Sequence, residues 1–194
     1  ALKATADFLR DKSAYLEREV ALRTLEVQAI QDVTIMAMTS LAETRDNETG
    51  NHIRRIQLYV KALAERLRNH PRFEAVLNER MIELLYKSAP LHDIGKIGIP
   101  DSILLKPGKL TVEEFEVMKT HTTLGRKAIE DAERRLGMRV AFLSVSKEIA
   151  YSHQEKWDGS GYPQGLAGDQ IPVSARLMAV ADVYDALINK RVYK

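Results

Sequence analysis

The first 49 residues contain neither glycine nor proline, although the 194-residue chain has ten glycines and six prolines. These two residue types disrupt helices most strongly, and the segment is rich in Ala, Leu, Glu and Arg, which favour helices. The pattern predicts one long helix over residues 1–45, followed by a separate domain over residues 46–194. An isolated helix of this length needs a partner that covers its apolar side chains.

Apolar residues recur along this helix with the a and d spacing of a coiled coil. The polar residues Ser13, Arg23 and Thr34 interrupt the pattern. The apolar positions are Leu2, Leu9, Leu16, Val20, Val27, Ile30, Ala37 and Leu41. We expect a homodimer through this helix. The alternative is a single long helix that packs along its own domain.

After residue 50, glycine and proline separate segments with apolar residues at helical spacing. The predicted helices cover residues 52–69, 81–91, 111–121, 140–154 and 175–188. The helix at residue 111 begins with a capping box, in which Thr111 precedes Glu114 by three residues. We expect His121 to end that helix. Because β-branched residues nowhere alternate over a long run, the fold class is predicted to be all-α.

Composition excludes several functional classes. The 29 basic and 27 acidic side chains give a net charge of +2, which does not indicate binding to a nucleic-acid polymer or an anionic membrane. No apolar run is long enough to span a membrane and no signal peptide is evident, so we expect a cytoplasmic protein. The absence of cysteine excludes disulfides and thiolate zinc sites. Any metal ion must therefore be held by nitrogen and oxygen ligands.

Four of the five histidines occur where a metal ligand could lie. Glu48 and His52 are four residues apart, so on a helix both could face one cation. His92 directly precedes Asp93. The remaining candidates are His121, His153 and Asp182, the last in an otherwise apolar helix. Taken singly, each residue also fits an ordinary structural role, such as a hydrogen-bonded histidine at a helix end or an aspartate paired with arginine.

The order of these residues resembles the HD-GYP family, a branch of the HD superfamily of metal-dependent phosphohydrolases. The matching elements are His52, the run His92-Asp93-Ile94-Gly95-Lys96, His121, the run Trp157-Asp158-Gly159-Ser160-Gly161-Tyr162-Pro163, and Ala181-Asp182. The resemblance covers residues 46–194. Residues 7–44 resemble the linker helix that follows a receiver domain in many relatives. We therefore expect this chain to be the output part of a response regulator whose receiver domain is missing here.

The resemblance implies an HD-type helical bundle that hydrolyses cyclic di-GMP to pGpG, GMP or both through a hydroxide activated by two metal ions. It makes Asp93 and Lys96 the catalytic residues, with Asp93 bridging the metals. The metal ligands that the family implies are Glu48, His52, His92, Asp93, His121, His153 and Asp182. The substrate-binding residues that it implies are Lys96, Gly161, Tyr162, Arg191 and Lys194. Imidazole and carboxylate ligands favour iron, manganese, nickel or zinc.

One position departs from the family pattern. Gln154 stands where most relatives have a second histidine, and an amide oxygen is a poorer ligand for these metals. Glu48, by contrast, matches the additional carboxylate of relatives that hold three metals. We predict two divalent transition-metal ions, with a third site weak or empty.

Three alternative functions remain open. A degenerate site would act mainly on linear pGpG. A module with little turnover would sense the dinucleotide, or would recruit signalling proteins through the Gly-Tyr-Pro loop at residues 161–163. A nucleotidase would act on another phosphate ester, since one fold hosts several reactions.

Overall fold

The computed structural model describes residues 2–46 and 51–189. Its α-helices are, in chain order, α1 (Leu2–Asp46), α2 (His52–Leu67), α3 (Glu79–Ser88), α4 (Asp101–Leu104), α5 (Val112–Lys119), α6 (His121–Leu136), α7 (Ala141–Ser152) and α8 (Val173–Ile188). Short 3-10 helices cover Ala89–Leu91, Ile94–Gly98 and Gly168–Gln170. Within the described ranges the β structure is limited to one isolated bridge between Asp158 and Ala167, so the predicted all-α class is confirmed.

Two compact units divide the chain, Ala1–Ala37 and Met38–Lys194. The first unit belongs to α1, which confirms the predicted long N-terminal helix. Along it the apolar side chains of Leu9, Leu16, Val20, Val27 and Ile30 are each at least half exposed. The homodimer through this stripe stays a prediction. Across the described ranges no helix, α1 included, combines the length and the apolar character of a membrane span.

The second unit buries its core where α2, α3, α7 and α8 pack together. Along α2 the residues Ile53, Ile56, Val60 and Ala64 are buried at intervals of three or four, which is the predicted helical stripe. Burying an Ile or Val side chain stabilises a fold by about 1.5–3 kcal/mol. From α7, Ile149 enters the same cluster. The packed helices hold their ends, where the candidate ligands lie, in defined positions.

The capping box of α5 is confirmed. Thr111 Oγ1 accepts a hydrogen bond from Glu114 N at 3.2 Å, and Glu114 Oε2 accepts one from Thr111 N at 2.7 Å. The prediction that His121 ends this helix is wrong, because α5 stops two residues earlier and His121 is the first residue of α6. At the junction Thr120 N donates to Val117 O, three residues back, which interrupts the α-helical pattern.

Helix α6 was not predicted, because it lacks a stripe of large apolar residues. Its buried positions are His121, Thr122, Gly125 and Ile129, of which only the last is large and apolar. One local signal was present. Gly137 ends the helix with a φ of +73°, a left-handed conformation that glycine adopts without steric cost.

Candidate metal centre

Most of the candidate ligands lie at the ends of helical elements. His52 is the first residue of α2, and His121 is the first residue of α6. His153 directly follows the last residue of α7. His92 and Asp93 form the link between the first two 3-10 helices. Because packing of the second unit brings these ends together, residues far apart in sequence converge on one site.

Two groups of ligand atoms result. The first contains His52, His92 and Asp182, and the second contains Asp93, His121 and His153. Within each group, one ligand atom from every residue lies within 4.8 Å of the others. The four histidines are only 2–3% exposed, whereas the fifth histidine of the chain, His70, is on the surface.

Asp93 connects the two groups. Its Oδ1 lies 3.3 Å from Nε2 of His121 and 3.3 Å from Nε2 of His153. Its Oδ2 lies 3.3 Å from Nε2 of His92 and 2.8 Å from Nζ of Lys96. A single carboxylate therefore reaches both groups, as a bridging ligand must, and Lys96 lies beside it.

Hydrogen bonds on the far side of each imidazole orient the rings. The Nδ1 atoms of three histidines face backbone carbonyls: His92 faces Ala89 O at 2.9 Å, His121 faces Met118 O at 2.8 Å, and His153 faces Ile149 O at 3.0 Å. Because a carbonyl only accepts hydrogen bonds, Nδ1 of each ring carries a proton and Nε2 faces into the site. Histidines that bind metals are oriented in the same way.

The polar atoms inside the site lack partners that a bound cation would supply. Within the described ranges, His92 Nε2 and Asp93 Oδ1 are buried without a hydrogen bond. The Nε2 atoms of His121 and His153 face each other at 3.4 Å, although both rings carry their protons on Nδ1. Converging lone pairs and a buried carboxylate are unfavourable unless a positive charge lies between them. The donor set therefore fits bound metal ions.

The charges of the site shift the pKa values of its members. Burial lowers the pKa of His92, but the adjacent Asp93 carboxylate outweighs burial and raises this pKa to about 9. Burial lowers the pKa of His121 to about 4, against the attraction of Asp93. Burial raises the pKa of Asp93, yet Lys96 and His92 hold that pKa well below its usual range. Asp93 is therefore ionised at neutral pH.

Gly95 allows the second 3-10 helix to lie close to the start of α6. A β-carbon at Gly95 would collide with the carbonyl oxygen of His121 and would lie 2.5 Å from the backbone nitrogen of Gly125. The second 3-10 helix can therefore approach the first turn of α6 only if residue 95 has no side chain. This close approach places Asp93, two residues earlier, against His121.

The Gly-Tyr-Pro loop borders the second group of ligands. The ring centroid of Tyr162 lies 6.2 Å from that of His121. A β-carbon at Gly161 would collide with the backbone of Glu155 and lie 2.6 Å from Gln154 O, and Tyr162 N donates to that same carbonyl at 3.2 Å. Burial raises the pKa of Tyr162 to about 12, so its phenol keeps its proton. The loop is thus packed tightly at Gly161, with Tyr162 beside the site.

Some predicted site residues lie outside the described ranges. These are Glu48, Arg191 and Lys194. Their assignments as a metal ligand and as substrate-binding residues stay predictions. Of the departing position, Gln154, the structure shows the backbone contact with Tyr162. This backbone contact does not test the prediction of a weak or empty third metal site.

Two buried carboxylates, Asp185 and Glu155, were not among the predicted site residues. Asp185 Oδ2 lies 2.8 Å from Nδ1 of His52, and Asp185 also accepts hydrogen bonds from Arg55 at 2.6 and 2.9 Å. Asp185 therefore orients His52 as the carbonyls orient the other histidines. Glu155 accepts hydrogen bonds from two backbone nitrogens of the loop that follows it. The available signal for Asp185 was its position one helical turn after Asp182.

The end of α1 also borders the site. Glu43 Oε1 accepts a hydrogen bond from Ile53 N at 3.2 Å, at the start of α2. A pocket next to the first ligand group is lined in part by Thr39, Glu43, His52 and His92. The last turns of α1 therefore contact the segment that carries a candidate ligand.

Comparison with known proteins identifies the family of this arrangement. Residues 36–194 match the family model described as HD domain. The chain belongs to the HD domain family. The resemblance to its HD-GYP branch is confirmed by relatives of this HD domain that are named cyclic di-GMP phosphodiesterases.

Three relatives illustrate the match of this HD domain chain. A probable cyclic di-GMP phosphodiesterase of Vibrio cholerae is 57% identical over 99% of this chain and 44% of its own length. The cyclic di-GMP phosphodiesterase response regulator RpfG of Xanthomonas campestris is 38% identical over 100% of this chain and 47% of its own length. The 3'3'-cGAMP-specific phosphodiesterase 2 of Vibrio cholerae is 45% identical over 81% of this chain and 27% of its own length. The chain thus spans less than half the length of these relatives.

Proposed function

We propose that this chain is a metal-dependent phosphodiesterase that hydrolyses cyclic di-GMP to pGpG, GMP or both. The observation that carries the proposal is Asp93, whose two oxygens reach two separate groups of buried ligands. Relatives across nearly the whole chain carry the name of this activity. The proposed cofactors are two divalent ions of iron, manganese, nickel or zinc, because imidazole and carboxylate ligands suit these metals.

The protein side chains have separate roles in this proposal. The ions would be held by His52, His92 and Asp182 and by Asp93, His121 and His153, with Glu48 as a further ligand. When bound, two such ions supply Lewis acidity toward a phosphodiester oxygen and toward water. Lys96 Nζ, 2.8 Å from Asp93, places a positive charge where negative charge develops on the phosphoryl group.

The remaining substrate contacts come from the loop and the chain end. Gly161 and Tyr162 lie in the packed loop next to His121, where the protonated phenol can donate a hydrogen bond to phosphate. Arg191 and Lys194 are proposed to bind phosphate through their charges. No covalent nucleophile of the protein is required.

A loading experiment tests the activity. The purified protein is stripped of metal and reloaded separately with manganese, iron, nickel or zinc, and hydrolysis of cyclic di-GMP is followed by timed product analysis. We expect turnover with at least one metal, and at least a hundredfold slower turnover for His92→Ala. The matched control is His70→Ala, which removes the surface histidine and should retain the wild-type rate. Turnover by His92→Ala at the wild-type rate would refute the proposed site.

Gln154 supports a second candidate, a preference for linear pGpG. Loss of an imidazole ligand weakens a third metal site and leaves fewer cations to hold the constrained cyclic ring. Elemental analysis should find about two ions per chain, and parallel assays should find faster cleavage of pGpG than of cyclic di-GMP. Three tightly bound ions, or faster turnover of the cyclic form, would contradict this candidate.

The whole-protein context is also a proposal. The relatives are more than twice as long as this chain, and one of them is named a response regulator. We propose that this chain is the output part of such a protein, with an upstream receiver domain, a homodimer contact along α1, and the Gly-Tyr-Pro loop available to signalling partners. A regulatory module without turnover is the alternative, and the loading experiment separates the two.

A further inference from the structure

A second aromatic side chain extends the wall of the site beyond Tyr162. The ring centroid of Phe115 lies 6.1 Å from that of Tyr162, and the two planes are nearly perpendicular at 86°. Lys119, one turn further along α5, places its Nζ 5.4 Å from the centre of the Phe115 ring and 5.9 Å from that of the Tyr162 ring. The three side chains form one cluster, made of two aromatic rings and an ammonium group.

This cluster is continuous with the metal centre. Tyr162 lies 6.2 Å from the ring of His121, and His121 Nε2 lies 3.3 Å from Asp93 Oδ1. The order from the centre outward is therefore the bridging carboxylate, an imidazole, a phenol, and then Phe115 with Lys119. In a nucleotide the base is joined to the phosphate through one ribose, so side chains that border a phosphate site are within reach of a base.

Phe115 lies outside the hydrophobic core of the second unit. The residue is 45% exposed, and α5 has no buried residue among its described positions. An exposed phenyl ring contributes little to the core. A ring that is partly exposed beside a nucleotide site is instead suited to stack on a base, because every base presents an aromatic face.

We propose that Phe115 and Lys119 form a guanine subsite for the dinucleotide, in which Phe115 stacks on the base and Lys119 donates to its O6 and N7. This inference rests on the proposed phosphodiesterase function. Guanine presents two acceptors on this edge, whereas adenine presents the N6 amino donor next to N7. Lys119 also pairs with Glu116, but an ammonium group has three donors and retains capacity for a base.

If Phe115 stacks on the base, its removal should change the base preference of the enzyme. For manganese-loaded protein, the ratio of kcat/KM for cyclic di-GMP to that for cyclic di-UMP is measured. Because pyrimidines have a smaller ring to stack, Phe115→Ala should reduce this ratio roughly tenfold. Phe115→Tyr keeps an aromatic ring and should restore the ratio. The matched control is Val117→Ala, on the opposite face of α5, which should leave the ratio unchanged.

If Lys119 donates to O6 and N7 of guanine, it should discriminate guanine from adenine. Lys119→Met keeps most of the length of the side chain but removes its donors, so it should reduce the preference for cyclic di-GMP over cyclic di-AMP by about tenfold. Lys127→Met, an exposed lysine on α6, serves as the control with unchanged preference. An unchanged guanine-to-adenine ratio in Lys119→Met would overturn this part.

A binding measurement separates failure of the subsite from failure of the function. Dissociation constants of GMP and UMP for the manganese-loaded protein are measured by calorimetry. Weaker GMP binding by Phe115→Ala, with UMP binding unchanged, supports the subsite. If the wild-type protein cleaves cyclic di-GMP but Phe115→Ala alters neither the kinetic ratio nor GMP binding, the subsite is wrong and the function stands. If the wild-type protein binds GMP no better than UMP and cleaves no cyclic dinucleotide, both are wrong.

Discussion

The orientation of each histidine in the candidate metal centre depends on the hydrogen-bond partner of its Nδ1 atom. His92, His121 and His153 each direct one nitrogen to a backbone carbonyl and the other to Asp93 or its surroundings. His52 uses the carboxylate of Asp185 in place of a carbonyl. An imidazole held by a carboxylate is a more basic ligand, so His52 is the histidine whose environment differs from the others.

At this scale the first prediction concerns Asp185. Burial raises the pKa of its carboxyl, but hydrogen bonds from Arg55 and His52 outweigh burial and lower the pKa. Asp185→Asn should therefore lower the free energy of unfolding at pH 7 by about 2 kcal/mol. Because a lowered folded-state pKa contributes stability above the unfolded carboxyl pKa of about 3.9, the difference should shrink as the pH falls below about 4.

Urea unfolding of the metal-free protein at several pH values measures this difference. The control is Asp169→Asn, which removes an exposed carboxylate that also contacts two arginines. Its effect should be much smaller than that of Asp185→Asn, because exposed ion pairs contribute little. If Asp185→Asn lowers the free energy of unfolding by the same amount at acid pH as at pH 7, the stabilisation does not come from the ionised Asp185 carboxylate.

At the scale of elements, the site depends on how closely the second 3-10 helix approaches α6. Gly95→Ala would place a methyl group against the backbone of His121 and Gly125, neither of which can move independently of its helix. We expect a loss of about 1–3 kcal/mol in stability and weaker metal binding, because His121 would be displaced from Asp93.

Gly98→Ala in the same 3-10 helix is the control for this change. Its β-carbon would lie 2.9 Å from Cδ1 of Leu124, the end of a flexible side chain that can rotate away. Thermal unfolding and metal titration of both variants give the comparison. If both substitutions reduce stability and metal affinity equally, the close backbone contact at Gly95 is not the cause of the loss.

Hydrogen bonds from Arg45 connect the C-terminal end of α1 to the segment around the second 3-10 helix. Arg45 donates to Ile97 O at 2.7 Å, to Ile99 O at 3.3 Å and to Asp101 Oδ1 at 2.5 Å. Arg45→Ala should lower the free energy of unfolding by about 1 kcal/mol, since the backbone carbonyls lose their donor. Arg23→Ala, which removes only ion pairs on the surface of the same helix, should change it by less than about 0.5 kcal/mol. Equal losses would contradict an anchoring role for Arg45.

At the scale of the whole molecule, the exposed stripe on α1 predicts the oligomeric state. Val20 and Val27 are 63% and 64% exposed and fall on the predicted seam. The double variant Val20→Glu and Val27→Glu should convert a dimer to a monomer, because it places charges in an apolar interface. Sedimentation equilibrium measures the mass, and Gln28→Glu is the control. A dimer that persists in the double variant would refute the seam.

The parts of the fold that the sequence predicted depend on local interactions. The long α1, the stripe of α2 and the capping box at Thr111 each involve residues within a turn or two of one another. The order of motifs likewise identified the histidines and aspartates that the structure brings together. By contrast, α6 was missed because it packs on α7 and on the second 3-10 helix through a face that is mostly small and polar, rather than through an apolar stripe.

The helical class, the long N-terminal helix and the set of candidate ligands were therefore predictable from the sequence. The grouping of those ligands, the position of Asp93 between the two groups and the contact of Asp185 with His52 became evident only in the folded protein. The physical reason is distance along the chain. Asp185 and His52 are 133 residues apart and His121 and His153 are 32 apart, so their contacts exist only after the helices have packed.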